Sequence, residues 1–392
     1  MKSNFILKVS SVLFVVFFLI ACGSNDSEVV AAPQPDSNGT IEDETPSDND
    51  PGGSDTGLTP GSLIAQMGVG WNLGNSFDVE SRDKTFWGNP LPTKAMIDLV
   101  ASSGFKTLRI PVTWGYHQSA SEPFIIEEDY LMRVQEVVDF GLENQMFVII
   151  NVHHDDDWVQ LVEEEKEYVK RRLSSLWQQV ATRFEDYGQS LIFDILNEPR
   201  LKGTALEWTG GNAASRAILN EYHQVGVDAV RDTGGNNASR FLMVSTYAAS
   251  TLAGPMNDLV IPNNDPNIII SLHTYFPWSF AGDENGPAAW GSTEERMALD
   301  AEMDGIRQKW HIEEGREVIL GEWGTRDKSN LSHRVEYAKY YAQASLQRGF
   351  VPIVWDDGGN FILQNRNSST WQFPEIVNAI INAANQSESQ KD

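Results

Sequence analysis

The stretch "LIFDILNEPR", residues 191–200, decides the fold. Leu191, Ile192, Phe193, Ile195 and Leu196 make a nearly continuous apolar run, and Asn197, Glu198 and Pro199 follow at once. Such a run suits a strand buried on both faces, as in a parallel sheet. Pro199 has no N–H for a ladder bond, so the strand is expected to stop beside two polar side chains.

Other segments repeat this plan. The expected strands are Val69–Phe77, Lys106–Trp114, Phe147–His154, Ser190–Glu198, Arg240–Tyr247, Ile268–Tyr275, Val318–Trp323 and Val351–Trp355. Helical patterns lie between them, including Asp129–Asn144, Glu164–Asp186, Ser215–Asp232, Glu294–Glu314 and Ser332–Gln347. Gly104, Gly141, Gly188, Gly234, Gly315 and Gly349 stand where helices should end. Eight strands with crossovers between them predict an α/β fold, a (β/α)8 TIM barrel forming a single catalytic domain over residues 61–392. A doubly wound open sheet is the competing architecture.

In such a barrel the C-terminal ends of the strands line the active-site mouth. Here those ends are polar and aromatic. The second reads Arg109-Ile-Pro-Val-Thr-Trp114, the third Asn151-Val-His153-His154 and the fourth Asn197-Glu198-Pro199. The sixth reads His273-Thr-Tyr275, the seventh Glu322-Trp-Gly and the eighth Trp355-Asp356-Asp357-Gly.

Glu198 and Glu322 would face each other across the mouth. Paired carboxylates can cleave a glycosidic bond, one giving a proton while the other attacks or activates water. The acid needs surroundings that raise its pKa, whereas the nucleophile must stay ionised. Arg109 and Tyr275 are candidates for that second task. His273 is placed to hydrogen-bond Glu198, Asn197 to hold a sugar hydroxyl, and Trp355 to stack on a pyranose face. Read singly, Arg109 could be a structural ion pair and Trp355 part of the core. The run His153-His154-Asp155-Asp156-Asp157 raises a metal site. Adjacent strand residues point to opposite faces, however, so no metal is expected there.

Taken together these motifs resemble glycoside hydrolase family 5, in the clan of retaining (β/α)8 glycosidases. The resemblance rests on "LRIPVTW", "INVHHD", "FDILNEP", "SLHTYFP", "LGEWG" and "IVWDDG", and runs from "GVGWNLGNSFD" at 68–78 to the last helix. It implies Glu198 as general acid/base, Glu322 as nucleophile, and Asn197 on the 2-hydroxyl of the attacked sugar. Arg109 and Tyr275 would position Glu322, with His153, His154, His273 and Trp355 supporting the substrate and no cofactor required. The "GWNLGNSFDVESRDKTFWGNP" opening is similar to the subfamily of endo-β-1,4-glucanases and xyloglucanases. Asp357 departs from it, standing where many relatives are expected to carry Asn. β-Mannan or xylan would suit the same chemistry, and a glycan-binding protein without turnover is the reading from another class.

The chain carries 55 Asp plus Glu against 29 Lys plus Arg, which argues against nucleic acid or an anionic membrane surface as partner. Its amino end reads as an export signal over residues 1–21, with Lys2 and Lys8 before an apolar run from Val9 to Ile20. Leu19-Ile-Ala-Cys22 resembles a bacterial lipobox, which predicts lipidation of Cys22 and anchoring to a bacterial membrane, an arrangement compatible with exposure at the cell surface. Cys22 is the only cysteine, so no internal disulfide can form. Residues 23–60 hold nine acidic residues and no Lys or Arg, a composition expected to form a disordered stalk. The working domain is expected to act as a monomer on a polysaccharide.

Overall fold

Eight short parallel strands close into a barrel in sequence order, β1 hydrogen-bonding to β8. They are β1 (Gly70–Asn72), β2 (Thr107–Ile110), β3 (Phe147–Asn151), β4 (Leu191–Asp194), β5 (Leu242–Ser245), β6 (Ile268–His273), β7 (Val318–Trp323) and β8 (Val351–Val354). The computed structural model describes residues 57–389. The expected export signal, Cys22 and nearly all of the expected acidic stalk lie outside them.

The expected helices form within a few residues of their predicted bounds, at Glu128–Glu143, Lys166–Arg183, Ala213–Arg231, Thr293–Arg307 and Leu331–Gln347. The fourth continues as a π-helical turn, Gln308–Glu313. Pro60–Met67 is a helix the sequence reading did not anticipate. Thr59 caps it and Ser62 completes the capping box. It packs Leu63, Ile64 and Met67 against Ile149, Ile192, Met243, Ile269, Ile319 and Ile353. These barrel residues alternate along their strands with others, such as Val148 and Phe193, that join the larger core. One end of the barrel is thereby filled with hydrocarbon, and polar chemistry is confined to the other.

Gly104, Gly234, Gly315 and Gly349 adopt positive φ, as helix stops require. Gly141 and Gly188 do not. Gly141 lies inside its helix, where an added Cβ would come 2.6 Å from Val148 Cγ2.

Several strands also end sooner than expected. β4 stops at Asp194, five residues before Pro199, so the proline is not what terminates it. Ile195 N still donates to Met243 O at 3.0 Å and Asn197 N to Val152 O at 2.9 Å. Glu198 is therefore held at the rim by continued backbone bonds to the neighbouring strands.

Candidate active site

Arg109 stands on β2 with no solvent exposure. Its Nη1 donates to Glu322 Oε1 at 2.9 Å and to Asn72 Oδ1 at 3.0 Å. Its Nη2 donates to Asn197 Oδ1 at 2.7 Å and to Asp194 Oδ2 at 3.2 Å. Burial alone would pull this guanidinium down, but Glu322 and Asp194 outweigh it and hold Arg109 above its ordinary value. One cation thus ties the ends of β1, β2, β4 and β7 together.

Glu322 has a second donor, the Tyr275 hydroxyl, 3.0 Å from its Oε2. Burial and the charges of Glu322 and Glu198 push the Tyr275 phenol well up, so it remains an O–H donor. Two fixed donors thus hold this carboxylate in place, one on each oxygen.

Glu198 sits opposite. His273 Nδ1 lies 2.7 Å from its Oε1, and one nitrogen of His273 and one oxygen from each glutamate fall within 4.8 Å of one another. Burial pushes the Glu198 carboxyl up. The His273 hydrogen bond and charge, followed by Arg200 and His154, win and leave it below the ordinary glutamate value. The sequence reading expected a raised pKa for the acid. In the free site the short His273 contact instead favours the ionised form of Glu198.

His153 and His154 require a further correction. β3 ends at Asn151, so strand alternation no longer governs them, and both offer a ring nitrogen close to Asp78. Two members of this cluster already have hydrogen-bond partners. Asp78 accepts from the backbone N–H groups of Asn75 and Ser76, at 2.9 and 2.7 Å. Val112 N–H binds Asn151 Oδ1, which turns the Asn151 amide nitrogen towards His153 Nδ1 at 3.0 Å. Burial and the neighbouring cations His154, Arg109 and His273 hold His153 neutral, well below its usual value. Its Nε2–H is left towards Glu322, 3.9 Å from Oε1. The ring also lies parallel to Trp355, with centroids 5.7 Å apart. The His154 ring packs edge-on to Trp87.

The cleft above these groups measures about 820 Å³. Trp355, Phe361, His153 and His154 are among its walls, as are Trp208, Leu252, Thr251, Trp278 and Glu302 from the loops after β4, β5 and β6 and from the helix before β7. Trp208 and Trp278 are each 60% exposed, which is unusual for indoles and suits stacking on a polymer. Sequence reading missed these loop residues, because among twelve tryptophans nothing marks which will be exposed. It also missed Asp194, although an ionisable residue inside "LIFDIL" is a detectable signal. Asp357 shapes a loop: its Oδ1 accepts from Gly359 N at 2.7 Å and Phe361 N at 2.9 Å.

Opposed carboxylates at the polar mouth of a (β/α)8 barrel define a glycosidase. The sequence profile of Cellulase (glycosyl hydrolase family 5) matches residues 70–360, and the chain belongs to that family. Endoglucanase B of Clostridium cellulovorans is 42% identical over 343 residues, which cover 85% of this chain and 78% of that protein. The solved structure of ZgEngAGH5_4 in complex with a cellotriose is 48% identical, with a TM-score of 0.82 over 83% of this chain and 98% of that one. XEG5A, a xyloglucan-specific endo-β-1,4-glucanase from a metagenomic library, is 34% identical, with a TM-score of 0.78 over 82% and 97%.

Proposed function

We infer that this protein is a retaining endo-β-1,4-glucanase acting on cellulose derivatives, mixed-linkage glucan and xyloglucan. The observation that carries this is the approach of Glu198 and Glu322, whose nearest oxygens lie within 4.8 Å. Retaining glycosidases hold their carboxyl groups about 5–5.5 Å apart, and inverting ones leave room for a water. The relatives' activities support the substrate class.

Each half-reaction has its groups. Glu322, held by Arg109 and Tyr275, attacks the anomeric carbon and forms a glycosyl ester. The glycosidic C–O bond breaks as Glu198 delivers the proton it shares with His273 to the departing oxygen. As substrate enters, it strips water from Glu198, which favours the protonated carboxyl. In the second half Glu198 takes a proton from water, and the resulting hydroxide displaces Glu322 with a second inversion. Asn197 Oδ1 is occupied by Arg109, so its Nδ2 is free to donate to the sugar 2-hydroxyl. Trp355 offers an indole beside the attacked ring.

The test is to incubate the protein with carboxymethylcellulose, xyloglucan, mixed-linkage glucan, mannan and xylan, following viscosity and reducing ends together. A steep fall in viscosity with few new ends on a β-1,4-glucan is expected. Cleavage of mannan or xylan alone would keep the chemistry and overturn the substrate, and no cleavage would favour a glycan-binding protein.

The Cys22 lipobox and the acidic segment after it suit a chain exported and held by a lipid anchor at a bacterial membrane. Were residues 23–60 a flexible chain, as their composition leads us to propose, these 38 residues would reach roughly 35 Å, enough to hold the barrel away from the bilayer. Polymers too large to import would then be cut outside the cell by a monomer on a tether.

A further inference from the structure

Asp194 is wholly buried beneath the site, and the mechanism above gives it no task. It is the last residue of β4, while Glu198 follows four residues later at the rim. Its Oδ2 shares the Arg109 Nη2 group with Asn197, and Arg109 Nη1 binds Glu322. Its Oδ1 has no hydrogen-bond partner among the described residues, nor has His273 Nε2.

The charges around these groups can be counted. Asp194 on β4 feels Arg109 from β2, His273 from β6 and Glu322 from β7. Glu198 feels His273, Arg200 and His154, and its charge is felt by Tyr275. Arg200 is already matched by Asp156 at 3.4 Å and Glu207 at 3.1 Å. His153 is held neutral. The centre thus contains three carboxylates and one permanent cation, Arg109, that no other acid neutralises. With Asp194 and Glu322 both ionised, Arg109 balances only one of them. The surplus negative charge lies beside His273, whose Nδ1 is also 3.7 Å from Glu322 Oε2.

We propose that Asp194 is a positioning residue for the catalytic proton: sharing Arg109 with Glu322, its charge keeps one proton on the Glu198–His273 pair up to the pH where the enzyme loses activity. Asp194 touches no substrate and acts only through its neighbours. Burial pushes its carboxyl up to about 6, against the pull of Arg109, so it carries this charge above that pH. The proposal rests on the glucanase reading given above. If the wild-type protein hydrolyses no glucan, that reading fails and the proposal falls with it; a shift or its absence in the variants' limbs judges the proposal alone.

The experiment is the pH dependence of kcat/KM on a soluble β-1,4-gluco-oligosaccharide, for the full chain and for Asp194→Asn and Asp194→Glu. Removing one nearby charge weakens the hold on the proton, so the basic limb of Asp194→Asn should move to lower pH by about one unit. Asp194→Glu restores the charge and should return the limb to its wild-type position, whatever the height of the profile. A purely structural residue would lower the height of the Asp194→Asn profile and leave its limbs in place; that result overturns the proposal. If Asp194→Asn does not fold, carbon NMR of wild-type protein with labelled aspartate carboxyls supplies the test, using Asp194→Glu to assign the signal. The Asp194 carboxyl should be ionised throughout the basic limb, and a carboxyl still protonated there would sink the idea.

Discussion

At 2.7 Å from Glu198 Oε1, His273 Nδ1 makes the proposed general acid a device of two residues. The imidazole has room to lie there because Gly321, the glycine before Glu322, carries no side chain. A Cβ there would lie 2.9 Å from His273 Nε2 and 3.2 Å from its Cδ2, close enough to displace the ring. Gly321→Ala should therefore lower kcat/KM at least tenfold, about 1.4 kcal/mol of transition-state stabilisation, while the barrel remains folded. Circular dichroism and oligosaccharide kinetics together check this. A folded variant with unchanged kcat/KM would show that the Glu198–His273 contact is dispensable. Glu198, Glu322, Arg109, His273 and Tyr275 were legible in the sequence because each ends or follows a strand of a recognisable barrel. The lowered pKa of Glu198 was not legible, since it depends on burial set against the His273 contact and the charges of His273, Arg200 and His154.

At the scale of elements, strand order and the crossover helices follow from the alternation of apolar runs and amphipathic stretches. Strand ends do not. Residues such as Asn197 continue to bond a neighbour after regular pairing stops, and sequence alone cannot locate that point. One helix–strand junction has its own pH dependence. His223, on helix Ala213–Arg231, is completely buried, with Nε2 donating to Ser245 O at the end of β5 across 2.7 Å. Burial drives its pKa down from 6.5 to about 4, only partly opposed by the Ser245 bond. The folded value lies below the unfolded one, so the native ring is neutral. Its contribution is fully present above pH 6.5 and is lost as pH falls towards 4, by about 3 kcal/mol. His223→Gln can keep a donor to Ser245 but does not titrate. It should be less stable at pH 7 and show a shallower loss between pH 6.5 and 4 in urea unfolding. Parallel curves for the two proteins would contradict this assignment.

For the whole molecule, the barrel has a sealed end and a working end. Helix Pro60–Met67 packs into the closed end, and the chain before it leads back to Cys22. None of the helices among the described residues is long and apolar enough to cross a membrane, and the anchor proposed above is a lipid on Cys22. Cys22→Ser should move the protein from the membrane fraction to the soluble fraction of cells with hydrolytic activity retained, and persistent membrane association would contradict the lipid anchor. The capping helix escaped sequence reading because its eight residues adjoin an acidic segment and carry no chemistry of their own. The loop residues Trp208, Leu252, Trp278 and Glu302 escaped it because one sequence does not fix loop paths.

The central claim is that Glu322 becomes covalently attached to the sugar while Glu198 handles the proton. The most direct measurement is to inactivate the protein with a 2-deoxy-2-fluoro cellobioside bearing an activated leaving group, then digest it and weigh the peptides. The account predicts one added fluorocellobiosyl group, on the peptide containing Glu322, and none on the Glu322→Gln variant. Labelling on another residue, or turnover by Glu322→Gln at the wild-type rate, would contradict it.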